Sequence, residues 1–188
     1  MIEIPLTQGK IALIDDEDYE LVSRHTWYAY KGKYTFYVVT AIGGRRNPQT
    51  LLMHRLILGL DFGDKLHVDH INSNGLDNRR SNIRIATRQQ NGRNQRPHGD
   101  AVSGFKGIYY HKNRRKWVAK IQVDGKQLHL GVFLDEADAA QAYDEAAIKY
   151  FGRFARLNFP TDYMCAQPGD DITRHRCNEP LAAFTGGR

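Results

Sequence analysis

The stretch that decides the fold runs from residue 66 to residue 91 and reads LHVDHINSNGLDNRRSNIRIATRQQN. Residues 66–71 read as a short strand, and residues 83–86 predict a second one. Between them, residues 72–82 are polar and rich in asparagine, which is typical of a loop. The stretch therefore predicts two strands joined by a polar loop.

A short helix is expected directly after the second strand. Thr87 can cap a helix that begins at Arg88, because its hydroxyl can accept a hydrogen bond from a backbone N–H of the first turn. Asn91 then lies on the first turn of this helix. A two-strand hairpin would bring Asn91 back towards Asp69 and His70 at the end of the first strand.

These residues suit phosphodiester hydrolysis, which needs a base for water and a cation for the leaving 3′-oxygen. His70 can be the base, since an imidazole with a pKa of about 6.5 is largely neutral at physiological pH. Asp69 and Asn91 offer the oxygen ligands that Mg²⁺ prefers, and Mg²⁺ needs few protein ligands. A purely structural interpretation stays open on spacing alone, because Asp-His pairs at strand ends and loop asparagines are common.

The same stretch has a counterpart in a known family. The segments VDHIN (68–72) and LDNRRSNIR (76–84), followed by Gln90-Asn91, resemble the HNH nuclease motif. The likeness is to the form found in phage and intron-borne homing endonucleases. It implies a ββα-metal fold around one divalent ion, Mg²⁺ or Mn²⁺, and we expect residues 51–97 to form this nuclease domain.

By this resemblance each polar residue of the stretch has an expected role. His70 matches the general base, and Asp69 matches the metal ligand beside it. Asn82, twelve positions after His70, matches the central asparagine that braces the loop and orients the histidine. Asn91, nine positions further on, matches the second metal ligand, where many members carry histidine. His54-Arg55 resembles a pair that precedes the motif and is expected to support the site or contact phosphate.

An arginine-rich run ends this part of the chain. Its arginines meet no acidic residue between positions 79 and 96, which favours a phosphate-contacting surface, although a solvated face would give the same pattern. The residues expected to contact DNA here are Arg79, Arg80, Arg84 and Arg88.

Residues 1–50 are predicted to be a β-rich segment. Strands are expected at residues 10–14, 27–30 and 34–39, and a short helix at residues 16–24. The tyrosine and tryptophan side chains of this segment are expected to be core residues rather than a platform for base stacking.

Residues 103–159 have the pattern of a small sheet and one helix. Strands are expected at residues 107–110, 116–123 and 127–133. Asp124-Gly125 predicts a two-residue hairpin, because both turn positions accept a positive φ. Asp135 can cap a helix that ends at about Phe151, before Gly152. Its expected apolar stripe is Ala137, Ala140, Tyr143, Ala147 and Tyr150.

This block also resembles a known family, the DNA-binding domain of plant APETALA and ethylene-response factors. The resemblance rests on the segments GIY (107–109), KWVAKI (116–121), LGVF (130–133) and EADAAQAYD (136–144). It implies a three-stranded antiparallel sheet backed by one helix, with the sheet face in the DNA major groove. Tyr109, Gln122 and His129 stand near positions of base-reading arginines in the plant proteins, so the plant target sequence does not carry over.

The residues themselves also favour DNA binding by this block. Between positions 106 and 126 seven lysines and arginines meet one acid, Asp124, and aromatic side chains lie among them. An ordinary basic exterior is the alternative. The residues expected to contact duplex DNA are Tyr109, Arg114, Arg115, Lys116, Lys120 and Gln122.

The composition of the 188-residue chain fits these expectations. Its formal net charge of +6 and pI of about 9.3 favour a polyanionic partner. No apolar run approaches the ~20 residues that span a bilayer, and the start has no secretory pattern. The two cysteines, Cys165 and Cys177, suit a reducing compartment. We expect a cytoplasmic protein of a bacterial or phage-infected cell, with a poorly ordered tail at 160–188.

The sequence thus predicts an α+β protein, with a β-rich segment, a ββα-metal unit, and a three-stranded sheet with one helix. The predicted function is metal-dependent hydrolysis of double-stranded DNA by an endonuclease of the homing type. The alternative is a non-cleaving, sequence-specific DNA-binding regulator. The oligomeric state is left open.

Overall fold

The computed structural model describes residues 1–43, 46–95 and 103–160. Within these ranges the protein is α+β, as predicted, with four small antiparallel sheets and four α-helices. The strands are β1 Ile2–Pro5, β2 Ile11–Ile14, β3 Tyr28–Lys31, β4 Phe36–Ile42, β5 Gln49–Leu52, β6 His67–His70, β7 Ile83–Ala86, β8 Ile108–His111, β9 Lys116–Val123 and β10 Lys126–Phe133. The helices are α1 Tyr19–Val22, α2 Met53–Ile57, α3 Arg88–Arg93 and α4 Glu136–Phe151.

The N-terminal half is built around one apolar core. The hairpin β1–β2 and the three-stranded sheet β3–β4–β5 pack with α2 and β7. The core residues are Ala12, Ile14, Val22, Trp27, Val38, Leu51, Met53, Ile57 and Ile83. Residues on both sides of the expected boundary at position 50 therefore share a core, and β5 itself crosses that boundary. The β-rich segment is the support of the nuclease unit.

Three details of this half differ from the expectation. The helix expected at residues 16–24 is a 3₁₀ turn at Asp16–Asp18 followed by the single turn of α1. Strands β1 and β5 were not predicted, and neither was α2. Short elements of four or five residues carry little periodicity, so the tertiary packing decides them.

The predicted strand–loop–strand–helix unit is confirmed. In the β6–β7 pair, Asp69 lies opposite Arg84 and His70 opposite Ile83. Thr87 caps α3 in a capping box with Gln90. The loop between the strands is fixed to β2, because the N–H of Leu13 donates to the Leu76 carbonyl at 2.9 Å.

The C-terminal block forms a module with its own core. Its sheet has the order β10–β9–β8, and Asp124 (φ 48°) and Gly125 (φ 80°) form the predicted hairpin turn. Asp135 caps α4, which ends before Gly152 as expected. The core residues are Ile108, Ala119, Ile121, Ala139, Ala140, Tyr143, Ala146, Ala147, Phe151 and Ala155.

The buried stripe of α4 differs from the prediction at both ends. Ala137 and Tyr150 are exposed, whereas Phe151 is buried. Phe151 stands eleven residues after Ala140, which is three turns at 3.6 residues per turn, so the two side chains lie on one face.

Parts of the prediction lie outside the described residues. These are the two cysteines, Arg96, residue 97 at the end of the expected nuclease domain and the tail from residue 161. Among the described helices, none has the length and apolar character that a bilayer crossing requires.

Candidate active site

The imidazole of His70 is held in one orientation at the end of β6. Its Nε2 lies 3.3 Å from Oδ1 of Asn78, and Nδ2 of Asn78 donates to the Leu76 carbonyl at 3.2 Å. An amide oxygen only accepts hydrogen bonds, so Nε2 of His70 carries the proton in this contact. The lone pair of Nδ1 is thereby left for another proton.

Two aromatic rings from the supporting sheet and helix pack against His70. The His54 ring meets it edge to face with centroids 5.0 Å apart, and Tyr37 of β4 lies 6.1 Å away. Burial lowers the pKa of His70, and the hydrogen bond with Asn78 and the charges of Asp69 and Asp77 oppose this shift. His70 is therefore neutral at neutral pH and able to accept a proton.

His54 is buried more deeply than His70. Burial, with smaller contributions from the charges of His70 and Arg55, lowers the pKa of His54 to about 3. Its Nδ1 atom has no hydrogen-bond partner among the described residues. His54 is thus a neutral packing partner of the His70 ring.

Arg55 and Asn82 brace the chain on either side of β6. The Arg55 guanidinium donates to the carbonyls of Leu66 (2.9 Å) and Asp61 (2.5 Å), in the segment that leads into the strand. Asn82 accepts from the Asn72 N–H at 3.0 Å and donates to the Asp77 carbonyl at 2.7 Å. The loop after His70 is therefore closed by the asparagine at the predicted bracing position.

The carboxylate of Asp69 is buried and hydrogen-bonded on both oxygens. Its Oδ2 accepts from Nε (2.8 Å) and Nη2 (2.6 Å) of Arg84, and its Oδ1 accepts from Asn94 at 2.9 Å. Asn94 is the C-cap residue of α3, and Asn91 stands three positions before it, a spacing at which two residues of a helix lie on one side.

These donors fit a hard divalent cation in their chemistry. A carboxylate and an amide oxygen are the ligand types that Mg²⁺ and Mn²⁺ accept. In the described residues, no three histidine, cysteine, aspartate or glutamate side chains converge on a metal position. An ion at Asp69 would have to share the carboxylate with Arg84 or displace its guanidinium.

The arginines expected to contact phosphate are arranged in two ways. Three of them bind carboxylates within the chain: Arg79 binds Asp77, Arg80 binds Asp18 and Glu17, and Arg84 binds Asp69. Arg88 is exposed at the first turn of α3. Of the four, Arg88 is the one whose position suits a phosphate contact as it stands.

The residues predicted to contact DNA in the C-terminal module lie together. Tyr109, Lys116, Lys120 and Gln122 alternate with the core residues of β8 and β9, so they occupy the sheet face away from α4. The Lys120 ammonium lies 4.8 Å from the centre of the Tyr109 ring. Arg114 and Arg115 are exposed in the connection between β8 and β9.

The sequence reasoning missed three residues of the site: Tyr37, Asn78 and Asn94. A signal existed for Asn94, since it follows Asn91 by three positions, at the end of the same short helix. Asn78 was part of the quoted motif, but its contact depends on how the loop folds back. Tyr37 comes from a distant strand, and no local pattern connects it to His70.

Comparisons with known proteins match the chain to two groups. The family model described as HNH endonuclease matches residues 51–93. An uncharacterized HNH endonuclease of Acanthamoeba polyphaga mimivirus is 30% identical over 155 residues, which cover 80% of this chain and 76% of the viral protein.

The other matches are to plant proteins and are shorter. APETALA2-like protein 2 of Oryza sativa subsp. japonica is 47% identical over 75 residues, 39% of this chain and 16% of the plant protein. Dehydration-responsive element-binding protein 2A of Arabidopsis thaliana is 53% identical over 47 residues, 24% of this chain and 14% of its own length. The viral relative shares most of its length with this chain, and its name agrees with the motif around His70. The chain therefore belongs to the HNH endonuclease family.

Proposed function

We propose that the protein is a divalent-metal-dependent endonuclease that hydrolyses phosphodiester bonds of double-stranded DNA. The observation that supports this most directly is the geometry at the end of β6. A neutral His70 there keeps the lone pair of Nδ1, and the Asp69 carboxylate stands beside it, against α3. His70 as the candidate base and the Asp69 carboxylate as a candidate ligand for a hard cation are thus adjacent.

Each residue of the site has a proposed task. Nδ1 of His70 takes the proton from the attacking water, and Asn78 and His54 hold its ring for this. Asp69 and Asn91 would hold Mg²⁺ or Mn²⁺, which when bound neutralises charge on the leaving 3′-oxygen. Asn82 keeps the loop closed.

The C-terminal module is proposed to bind the duplex through its exposed sheet face. Tyr109, Lys116, Lys120 and Gln122 lie on that face, and a three-stranded ribbon can enter the major groove. Arg88, Arg114 and Arg115 are proposed to add phosphate contacts. A homing role belongs to the same proposal, and it predicts cleavage at one rare, long target rather than at many sites.

The proposal is tested by incubating the full-length protein with supercoiled plasmid carrying candidate targets, in Mg²⁺ or Mn²⁺. We expect nicked or linear product with either ion and none in EDTA. Asp69→Asn, which keeps the size of the side chain, and Asn91→Ala should raise the ion concentration needed for half-maximal rate or abolish cleavage. Asp138→Asn, an exposed change on α4, is the matched control and should cleave normally. DNA binding without cleavage under all ions would instead favour a non-cleaving regulator.

A further inference from the structure

The chain that follows α4 contacts the candidate nuclease centre through Arg84. Nη1 of Arg84 donates to the Arg153 carbonyl, and its guanidinium stacks on the Phe154 ring at 4.4 Å. The same Arg84 holds the Asp69 carboxylate. A residue of the C-terminal module thus lies one side chain away from the candidate metal ligand.

Arg156, two residues after Phe154, contacts the loop that follows His70. Its Nη1 donates to Oγ of Ser73 at 2.7 Å. The N–H of Ser73 donates to the carbonyl of His70 at 2.8 Å, so Ser73 belongs to the turn that leaves the candidate base. The Arg156 guanidinium is therefore placed beside the His70 loop.

Lys106, at the start of the module, contacts the last residue of α3. Its ammonium donates to the carbonyl of Arg93, and the next residue, Asn94, donates to Oδ1 of Asp69. Burial lowers the pKa of Lys106 to about 8; the nearby charge of Arg156 lowers it further and that of Asp69 opposes the shift. Lys106 therefore lies within electrostatic range of both Arg156 and Asp69.

The Lys106 ammonium has the surroundings of an anion-binding group. It is partly buried, and no carboxylate of the described residues lies within ion-pair distance of it. A cation withdrawn from water is costly unless an anion compensates it. A phosphate group is such an anion, and a guanidinium beside it can bind two phosphate oxygens at once.

We infer that Arg156 and Lys106 of the C-terminal module complete the nuclease centre by binding the non-bridging oxygens of the phosphodiester that is cleaved. This inference rests on the proposed nuclease function. The module would then take part in the chemistry as well as in holding the duplex. During hydrolysis negative charge grows on these oxygens, so cations already in place stabilise the transition state more than the bound DNA.

The test uses the full-length protein with a short duplex that contains the cleavage site. Single-turnover cleavage is measured with Mg²⁺, and DNA affinity is measured by fluorescence anisotropy in EDTA. We expect Arg156→Ala to slow cleavage by about 10²-fold or more, with affinity changed by only a few-fold. Lys106→Ala should slow cleavage by about tenfold or more. Lys149→Ala removes an exposed charge from α4 and should leave the rate within about twofold.

A second variant separates a phosphate contact from a purely structural one. Ser73→Gly removes the hydroxyl that holds Arg156 but accepts the positive φ of 59° at this position. If Arg156 acts only by holding the module to Ser73, Ser73→Gly and Arg156→Ala should slow cleavage equally. We expect Ser73→Gly to be at least tenfold milder, because it leaves the Arg156 guanidinium and its charge beside the His70 loop.

The outcomes distinguish this inference from the proposed function. A wild-type protein that cleaves, combined with normal cleavage by Arg156→Ala or with equal defects in Arg156→Ala and Ser73→Gly, would overturn the inference alone. If Arg156→Ala melts below the assay temperature, Arg156→Lys decides, since it keeps the charge and loses the two-oxygen contact. It should cleave about tenfold more slowly, and a wild-type rate would again overturn the inference. A wild-type protein that never cleaves defeats the proposed function itself.

Discussion

The arginines of the nuclease unit and the lysines of the C-terminal sheet have opposite surroundings, although both look alike in sequence. Four arginines between positions 79 and 93 each meet a carboxylate: Asp77, Asp18, Asp69 and Asp124. Lys116 and Lys120 point away from α4 on the open face of the sheet. A run of sequence without acids therefore does not mean that its arginines are unpaired, because three of these four carboxylates come from other parts of the chain.

This difference suggests separate roles for the two groups of side chains, with the arginines stabilising the fold and the lysines contacting DNA. Carboxylate-bound arginines tie elements together, as Arg80 ties α2 and the turn at Asp16–Asp18 to the loop between β6 and β7. The lysines on the open sheet face bind no carboxylate among the described residues, which agrees with the phosphate contacts proposed for them. The predictions below test whether these roles are separate. The hypothesis would be wrong if the arginines governed DNA affinity and the lysines governed stability.

The largest effect is expected at His70, which is proposed to activate water and not to hold the DNA. His70→Ala should lower the cleavage rate by about 10²–10⁴-fold, because it removes the proposed general base. DNA affinity should stay nearly unchanged, since the proposed binding face lies on the other module. Nicking rates and gel-shift affinities measure the two effects separately.

The matched control for that prediction is His67→Ala, an exposed histidine on the same strand. It should cleave at close to the wild-type rate. Rapid cleavage by His70→Ala would show that another group activates water. A loss of affinity parallel to the loss of rate would show that the two tasks are not separated.

The next effect concerns stability. Arg80→Ala leaves the Asp18 carboxylate, which is 2% exposed, without its guanidinium partner. An unpaired buried carboxylate should lower the free energy of unfolding by about 1–3 kcal/mol. Urea denaturation measures this, and Arg88→Ala, at an exposed position of α3, should change it by less than about 0.5 kcal/mol. Equal stabilities of the two variants would contradict the structural role of Arg80.

The elements that sequence predicted well have strong local signals. The Asp124-Gly125 turn, the Thr87 cap and the α4 boundaries at Asp135 and Gly152 each depend on one or two residues with restricted backbone preferences. The quoted nuclease motif likewise brings Asp69, Asn82 and the helix of Asn91 together through a short hairpin. Local chemistry was enough for these features.

The features that sequence could not give depend on distant contacts. No local pattern reveals that Tyr37 packs on His70, or that Arg84 spans from Asp69 to the carbonyl of Arg153. The shared core across position 50 also depends on which apolar faces meet in three dimensions. The partners of the arginines belong to this class, which is why the run at 79–96 resembled an open phosphate surface.

A smaller effect is expected for Lys120, on the open face of the C-terminal sheet. Lys120→Ala should weaken duplex binding several-fold and lower the slope of affinity against salt concentration by about one ion, as the loss of one phosphate contact does. The free energy of unfolding should change little, because this side chain binds no carboxylate among the described residues. Anisotropy titrations at three salt concentrations give the slope. An unchanged slope would show that Lys120 does not contact phosphate.

The smallest effect is a dependence on pH at Lys106, where the two regions meet. Burial lowers the pKa of this ammonium to about 8, so its charge is present below that pH and is lost as the pH rises through it. The groups that face it are the Arg93 carbonyl, Arg156 and Asp69, with Asp124 on the rim of the same cleft.

Lys106→Arg keeps its charge at all these pH values. The ratio of the cleavage rate of Lys106→Arg to that of the wild type should therefore rise several-fold between pH 7 and about 9. Taking this ratio cancels the effects of pH that both proteins share, including the titration of His70 and any effect of pH on metal binding. Lys149→Arg, whose parent residue is exposed on α4, should give a flat ratio. A flat ratio for Lys106→Arg as well would show that the Lys106 charge has no part in cleavage.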